Sequence, residues 1–254
     1  MIRHRICTLL LLLLPLSLAA RTYVVSVGIC NYQYIRGLRQ TENDARSIAS
    51  LYRSRQCDVT TLLGSQATHE CIISALRTVS AKAEKDDVVV FFFSGHGGKG
   101  GLCAYDTQGA STFITYTEIA KELKNCKADN KQLYIDACYS GGLRLDGSRS
   151  TPTAQSTFSN TEGVMLFLSS RSGETSQENF YGPNGKFTKY LLRGLKGGAD
   201  TNRNRIVEAK ELFTFVSAKV VEASKGLQHP VMWGRFNDGM HLMNWNPKSK
   251  AKQR

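Results

Sequence analysis

The sequence contains no apolar run long enough to cross a bilayer. Its longest run, residues 6–18, has about 13 residues, whereas a membrane-spanning helix needs about 20. Arg3 and Arg5 precede this run and small residues follow it, which is the order of a secretory signal peptide. We therefore expect a signal peptide over residues 1–20 that is cleaved after Ala19 or Ala20, rather than an uncleaved anchor. The mature chain would be periplasmic or extracellular, with no membrane span.

Cysteines are few and scattered, and none forms a CxxC pair or a metal-ligand pattern. Export would place the chain where disulfides can form. If one thiol must stay free for chemistry, an odd number remains and at least one more is unpaired. We expect most of the others to be small buried hydrophobic residues. The six that would remain in the mature chain are Cys30, Cys57, Cys71, Cys103, Cys126 and Cys138.

The basic residues lack the clustering that is typical of a nucleic-acid-binding surface. The formal net charge is +12 for 254 residues, but lysines and arginines are spread along the chain and concentrate only in the tail, residues 247–254. A solvated tail explains that cluster, so we expect no nucleic-acid partner. The chain also lacks internal repeats and composition shifts, and we expect one domain over residues 21–246.

Hydrophobic strands alternate with helical patterns through this domain. This alternation, with continuous Val, Ile and Phe runs, predicts an α/β fold with a parallel sheet covered on both faces. Residues 143–161 break the pattern, and a stretch of that length indicates a functional or mobile loop. The predicted strands are residues 22–29, 59–63, 88–93, 132–137 and 164–169, and the predicted helices are residues 42–53, 69–85, 115–125, 185–195 and 209–223.

The glycine-rich stretch FFFSGHGGKGG, residues 91–101, resembles a phosphate-binding loop at first sight. A phosphate loop needs Ser or Thr after its lysine, but Lys99 is followed by Gly100. The dinucleotide pattern GxGxxG does fit, yet it requires a following helix, and residues 101–106 are typical of a strand and turn. The sequence therefore does not favour nucleotide binding, and His96 becomes the residue of interest.

His96 and Cys138 both lie at the carboxyl ends of predicted strands and are flanked by glycines. In open parallel sheets the working crevice lies outside these ends. A thiol and an imidazole placed there form a nucleophile–base arrangement. A lone histidine is usually structural and a lone cysteine is usually buried, but their joint placement favours catalysis.

The motifs around these two residues resemble those of the caspase-like cysteine peptidases. SGHG (residues 94–97) follows one hydrophobic strand, DACYSGG (residues 136–142) follows another, and NDA occupies residues 43–45. The resemblance implies a caspase-like three-layer α/β/α sandwich with a mainly parallel central sheet. It also implies that His96 is the general acid/base and Cys138 the nucleophile, and that the N–H groups of Gly97 and Cys138 form the oxyanion hole.

The resemblance is nearer to metacaspases and their bacterial relatives than to caspases, which have Gln where this chain has Asp136. It implies that Asp44, Ser94 and Asp136 form a pocket for an Arg or Lys side chain at P1, the substrate residue before the cleaved bond. Carboxylates in a partly dry pocket favour a cation and disfavour an acidic side chain. Two structural alternatives stay open: Asp44 caps a helix in a Thr41-x-x-Asp44 box, and Asp136 is a hydrogen-bonded acid at a strand end.

A second acidic segment, residues 200–211, resembles a degenerate EF-hand loop. Oxygen-bearing side chains occupy loop positions 1, 3, 5, 9 and 12, but Arg205 replaces the turn glycine. The alternative is a polar turn that caps the following helix. We expect no required cofactor, with Ca²⁺ as a candidate ligand of this loop. The predicted metal ligands are Asp200, Asn202, Asn204 and Glu211.

The sequence thus predicts an exported cysteine endopeptidase that cleaves peptides or proteins after Arg or Lys. The alternative is a catalytically idle caspase-like domain that serves as a binding or regulatory module. Arg144 and Arg149 lie in the irregular stretch just after Cys138, so we also expect self-cleavage there, with an uncut loop as the alternative. The sequence does not predict an oligomeric state.

Overall fold

The structure, a computed structural model, describes residues 20–138, 152–159, 161–171, 174 and 182–245. The predicted signal peptide up to residue 19 and the predicted basic tail lie outside these residues. No helix in the described part of the chain is both long and apolar enough to span a membrane.

Ten strands and six α-helices lie in the described residues. The strands are β1 (Thr22–Gly28), β2 (Asp58–Leu63), β3 (Val88–Gly98), β4 (Gly101–Leu102), β5 (Ile114–Thr115), β6 (Asn130–Cys138), β7 (Val164–Leu168), β8 (Ile206–Glu208), β9 (Val231–Gly234) and β10 (His241–Asn244). The helices are α1 (Thr41–Arg53), α2 (His69–Lys82), α3 (Tyr116–Lys124), α4 (Ala154–Phe158), α5 (Lys186–Arg193) and α6 (Ala209–Ala223).

The central sheet has the strand order β2-β1-β3-β6-β7-β9. All neighbouring pairs are parallel except β7 with β9, which is antiparallel. The short strands β4 and β5 extend from the end of β3, and β8 pairs with β10 in a separate two-stranded sheet. The predicted fold class, a mainly parallel sheet within an α/β sandwich, is confirmed.

Successive side chains of the buried strands pack into two hydrophobic layers, one on each face of the sheet. In β3, Phe91 and Phe93 pack with residues of α2, α3 and α4, whereas Phe92 packs with residues of α1, α5 and α6. All three rings are wholly buried. Because side chains of a strand alternate between faces, a continuous apolar run requires helices on both sides.

Two predicted boundaries differ from the structure. The strand predicted to end at Phe93 continues through Gly98, because its glycine-rich part still pairs with β6 and β4. The predicted irregular stretch of residues 143–161 contains helix α4, which begins with the Thr153 hydroxyl accepting a hydrogen bond from Ser156 N–H and buries Phe158 completely. Arg144 and Arg149 lie outside the described residues.

Candidate active site

The pairing of β3 with β6 brings the two predicted catalytic positions side by side. In this parallel register Ser94 lies opposite Asp136 and His96 opposite Cys138. Neighbouring strands are about 4.8 Å apart, so the backbones of His96 and Cys138 are adjacent at the carboxyl edge of the sheet. The side chain of Cys138 lies outside what the structure describes.

The imidazole of His96 is held by the segment that follows β1. Its Nε2 atom lies 2.8 Å from the carbonyl oxygen of Arg36, and its ring packs at a tilt against that of Tyr32 with 5.1 Å between centroids. The Tyr32 hydroxyl also accepts a hydrogen bond from His96 N–H at 2.7 Å. Since a carbonyl oxygen can only accept, Nε2 carries the proton, and Nδ1 is the basic atom of the neutral ring.

Asp44 is buried and accepts hydrogen bonds from three residues in two separate parts of the chain. The Ser94 hydroxyl donates to Oδ2 at 3.0 Å, while the Asn184 side-chain amide and Gly185 N–H donate to Oδ1 at 3.0 and 2.9 Å. Helix α1 instead begins after Gln40, which makes no side-chain cap hydrogen bond. The capping interpretation of Asp44 is therefore wrong.

Asp136 is a second buried carboxylate on the same side of the sheet. Its Oδ2 accepts a hydrogen bond from the Thr188 hydroxyl at 2.8 Å. Burial raises the pKa of Asp136. Burial, followed by repulsion from Asp136, raises the pKa of Asp44 to about 8. Two buried carboxyl groups close together cannot both ionise at low cost unless a positive charge lies beside them.

The caspase domain family (peptidase family C14) matches residues 21–238, a span that contains β1–β9 and the site residues named in this subsection. This chain belongs to the caspase domain family. The crystal structure of protein GSU0716 from Geobacter sulfurreducens resembles this caspase domain with a TM-score of 0.67 and 18% identity, covering 89% of this chain and 98% of that one. At this identity the likeness shows the fold alone. A search of curated proteins found no match.

Membership in the family supports a peptidase of the cysteine type. Gly97, whose N–H group is predicted to form part of the oxyanion hole, lies where two strands approach closely. A Cβ at Gly97 would lie 3.1 Å from Cβ of Ala137, so the backbone of β3 approaches β6 closely beside Cys138. The oxyanion role of Gly97 stays a prediction.

Three residues at the start of α5 belong to this site, two just before the helix and one in its first turn, although the sequence did not reveal them. Asn184 and Gly185 donate to Asp44, and Thr188 donates to Asp136. A Cβ at Gly185 would lie 3.2 Å from Asp136 Oδ2 and 3.3 Å from Asp44 Oδ2. Both carboxylates therefore face the backbone of Gly185. No local signal identifies these residues, because Asn184 and Gly185 meet Asp44 from about 140 positions away and Thr188 meets Asp136 from 52 positions away.

Several side-chain oxygens of the predicted calcium loop accept hydrogen bonds from its own backbone, whereas Asp200 Oδ1 is buried without a partner among the described residues. Asp200 Oδ2 accepts from Arg205 N–H at 3.0 Å and from the Trp245 indole at 2.9 Å. Asn202 Oδ1 accepts a hydrogen bond from Asn204 N–H, and Asn204 Oδ1 accepts one from Ile206 N–H. These contacts form the polar turn that the alternative interpretation describes.

Glu211 joins this loop to helix α6. Its Oε1 accepts from Thr201 N–H, the Thr201 hydroxyl and Asn202 N–H, while Oε2 accepts from Glu208 N–H. Across the described ranges, no group of three or more His, Cys, Asp or Glu residues could hold a metal ion. Calcium binding stays a prediction.

The cysteines of the caspase domain differ in exposure, which corrects the expectation that most are buried. Five described cysteines are free thiols. Of these, Cys103 and Cys126 are buried, and burial raises the pKa of Cys103 to about 12. Cys71 is exposed, whereas Cys30 and Cys57 are half-buried. Any thiol-labelling experiment must therefore separate Cys71 from Cys138.

Proposed function

We propose that this caspase-domain protein is an exported cysteine endopeptidase that cleaves after Arg or Lys, with Cys138 as nucleophile and His96 as general acid/base. The observation that carries the proposal is the β3–β6 register, in which His96 lies opposite Cys138 at the carboxyl edge of the sheet. The family supplies the reaction class.

In the proposed mechanism, the Cys138 sulfur attacks the scissile carbonyl carbon while its proton moves to His96 Nδ1. The Nε2–H bond to the Arg36 carbonyl keeps that tautomer and fixes the ring. Backbone N–H groups of Gly97 and Cys138 would stabilise the oxyanion. His96 then gives the proton to the leaving amine, and a water molecule hydrolyses the thioester, returning the thiol.

The preference for Arg or Lys is proposed from the buried carboxyl pair. A P1 guanidinium or ammonium group would place a positive charge beside Asp44 and Asp136. Ser94 would hold Asp44 in place through its 3.0 Å hydrogen bond. An aspartate at P1 would add a third carboxyl group to a buried pair. Charge-assisted hydrogen bonds therefore favour Arg or Lys at P1, whereas repulsion disfavours Asp at P1.

Substitution of the two catalytic positions tests the reaction. We expect Cys138→Ala and His96→Ala each to abolish cleavage of an Arg-P1 peptide, while circular dichroism and the melting temperature stay close to wild type. Cys71→Ala is the matched control and should keep full activity, because Cys71 is exposed on helix α2. Wild-type turnover by purified Cys138→Ala protein would refute the nucleophile assignment.

Peptides that differ only at P1 test the specificity. We expect cleavage after Arg and Lys and negligible cleavage after Asp or Asn. Asp136→Asn should raise KM for the Arg peptide by more than tenfold, since it removes one of the two carboxyl groups that would face the bound cation. Equal rates on the Arg and Asp peptides would refute the acidic pocket.

An irreversible inhibitor with Arg at P1 separates the peptidase from the idle-module alternative. It should label wild-type protein once per chain at Cys138, and the Cys71→Ala variant equally. A general thiol reagent would not serve, because exposed Cys71 would react with it. If no thiol is labelled and no peptide is cleaved, the binding-module interpretation replaces the peptidase.

Export is tested at the new N terminus. Arg21 N–H donates to the buried Asp87 carboxylate at 2.7 Å, so cleavage after Ala20 would place an ammonium group on a preformed acceptor. N-terminal sequencing of secreted protein should find Ala20 or Arg21 first. A chain that retains residues 1–19 would contradict cleavage.

Calcium at residues 200–211 is part of the proposal only as a ligand and not as a requirement for activity. If it binds there, CaCl₂ should raise the melting temperature of wild-type protein and have less effect on Asp200→Asn. Equal shifts in both proteins would contradict a site in this loop.

A further inference from the structure

A cavity of about 290 Å³ opens beside the crevice and takes no part in the mechanism above. It lies between the end of β7, the start of β9, helix α4 and the turn after β3. Its lining residues are Lys99, Thr153, Ala154, Gln155, Leu168, Ser170, Arg171, Val231 and Trp233.

Among the described residues, the charged side chains that line this cavity are both positive. Lys99 and Arg171 line its rim and are exposed, and no described Asp or Glu is among the lining residues. Within the described part of the chain neither cation forms an ion pair; the described ion pairs involve other residues.

A buried hydroxyl group in the cavity lacks an acceptor. Ser170 is wholly buried, and its Oγ has no hydrogen-bond partner among the described residues. A buried polar group without a partner costs about 1–3 kcal/mol, and such groups point to a missing ligand or water. Here the donors are a hydroxyl, an ammonium and a guanidinium, which together suit an anionic oxygen.

The cavity lies on the opposite face of the sheet from the Asp44–Asp136 pair. Ser169 and Ser170 directly follow the last residue of β7. Ser169 hydrogen-bonds Asp136, whereas Ser170 lines the cavity, next to Leu168 of the layer formed with α2, α3 and α4. The two sites therefore flank the same strand ends.

We propose that this cavity is a substrate subsite for an acidic side chain, most suitably glutamate, within a few residues of the cleaved bond. The apolar walls of Leu168, Val231 and Trp233 would pack against the methylene groups, and the carboxylate would meet Lys99, Arg171 and Ser170. The proposal rests on the proposed function in taking the ligand to be a peptide substrate.

Binding to the inactive Cys138→Ala protein tests the subsite without requiring catalysis. The probes are peptides with blocked termini and one Arg, in which a single Glu is moved through three positions on each side of the Arg–X bond. We expect one position where Glu binds about fivefold more tightly than Gln, as one or two partly exposed ion pairs would give. High salt should reduce this ratio.

Charge removal then locates the effect. In the Cys138→Ala background, Lys99→Met with Arg171→Met should bring the Glu-to-Gln ratio at that position close to one. Lys124→Met, which removes an exposed charge from α3, should leave the ratio unchanged. The ratio reports the subsite, since general losses of binding affect both peptides.

Two results would overturn the proposal: no position prefers Glu, or the preference survives the double substitution. Neither result bears on cleavage after Arg. Conversely, if wild-type protein cleaves none of these peptides while the inactive variant still prefers Glu, the proposed reaction fails and the subsite stands.

Discussion

Binding of an arginine side chain between Asp44 and Asp136 should release about one proton at pH 6. The pKa of Asp44 is about 8 because its carboxyl group is buried and lies near Asp136, so at pH 6 this group carries a proton. A guanidinium cation stabilises the ionised form and lowers that pKa. If the pKa in the complex falls below 5, nearly the whole proton leaves on binding.

The same linkage sets the pH dependence of affinity. Because binding releases a proton, affinity should rise by about tenfold per pH unit between roughly pH 5 and 7, and level off near the pKa of the free protein, about 8. The stability of the unliganded protein should change in the opposite sense. A carboxyl group whose pKa is raised from 3.8 to about 8 favours the folded state below pH 4, and this contribution is lost as the pH rises through 8.

Calorimetry of the Cys138→Ala protein with a blocked arginine amide measures the released protons directly. The heat of binding at pH 6 is compared in two buffers of different ionisation enthalpy, and a citrulline amide serves as the uncharged control ligand. Asp44→Asn keeps the acceptor for Asn184 and Gly185 but removes the titrating group. It also retains Asp136, whose pKa is raised by burial, so any release that remains belongs to groups other than Asp44.

The expected values are about one proton for the arginine ligand, near zero for citrulline and a clear loss in Asp44→Asn. Proton release near zero for the arginine ligand, together with an affinity that is constant from pH 5 to 8, would refute a protonated carboxyl pair as the P1 site.

Two further predictions concern the same crevice. Gly185→Ala should raise KM for Arg peptides about tenfold, because a Cβ there meets both carboxylates at 3.2–3.3 Å. The melting temperature should change little, since the φ of −55° suits alanine. Gly109→Ala, with open space around its Cβ, is the control, and equal effects of the two substitutions on KM would contradict the prediction. Active protein should cleave itself after Arg144 or Arg149 and the Cys138→Ala protein should not, as mass spectrometry would detect; an intact chain in a fully active preparation would contradict self-cleavage.

The sequence predicts the sheet well because buried strands have strong local patterns. Continuous apolar runs such as residues 88–93 identify buried parallel strands, and parallel strands end at one edge. The placement of His96 and Cys138 after two such runs was therefore enough to bring them to the same edge. In contrast, no local sequence pattern predicts which face of the sheet the site occupies or the register between the two strands. Both depend on pairing between residues far apart in the sequence.

The parts that the sequence did not predict are those with weak local signals. Glycines after Phe93 have low strand propensity, yet pairing with β6 and β4 extends β3 to Gly98. Helix α4 is a five-residue helix in a Ser- and Thr-rich stretch, and the buried Phe158 explains its position. The Asn184–Gly185 contact with Asp44 is a tertiary contact between the ends of two helices.

Under the two proposals, opposite charges on the two faces of the strand ends would also fix the direction of a bound peptide. The face with Asp44 and Asp136 takes a cation, and the face with Lys99 and Arg171 takes an anion. A peptide bound in reverse would place its glutamate near the carboxyl pair and its arginine near the two cations. Both contacts would then be repulsive, and like-charge contacts at an interface cost several kcal/mol. A single site of either sign would select a residue, whereas two sites of opposite sign on opposite faces of the sheet would select an orientation. Only one orientation presents the scissile carbonyl to the thiol.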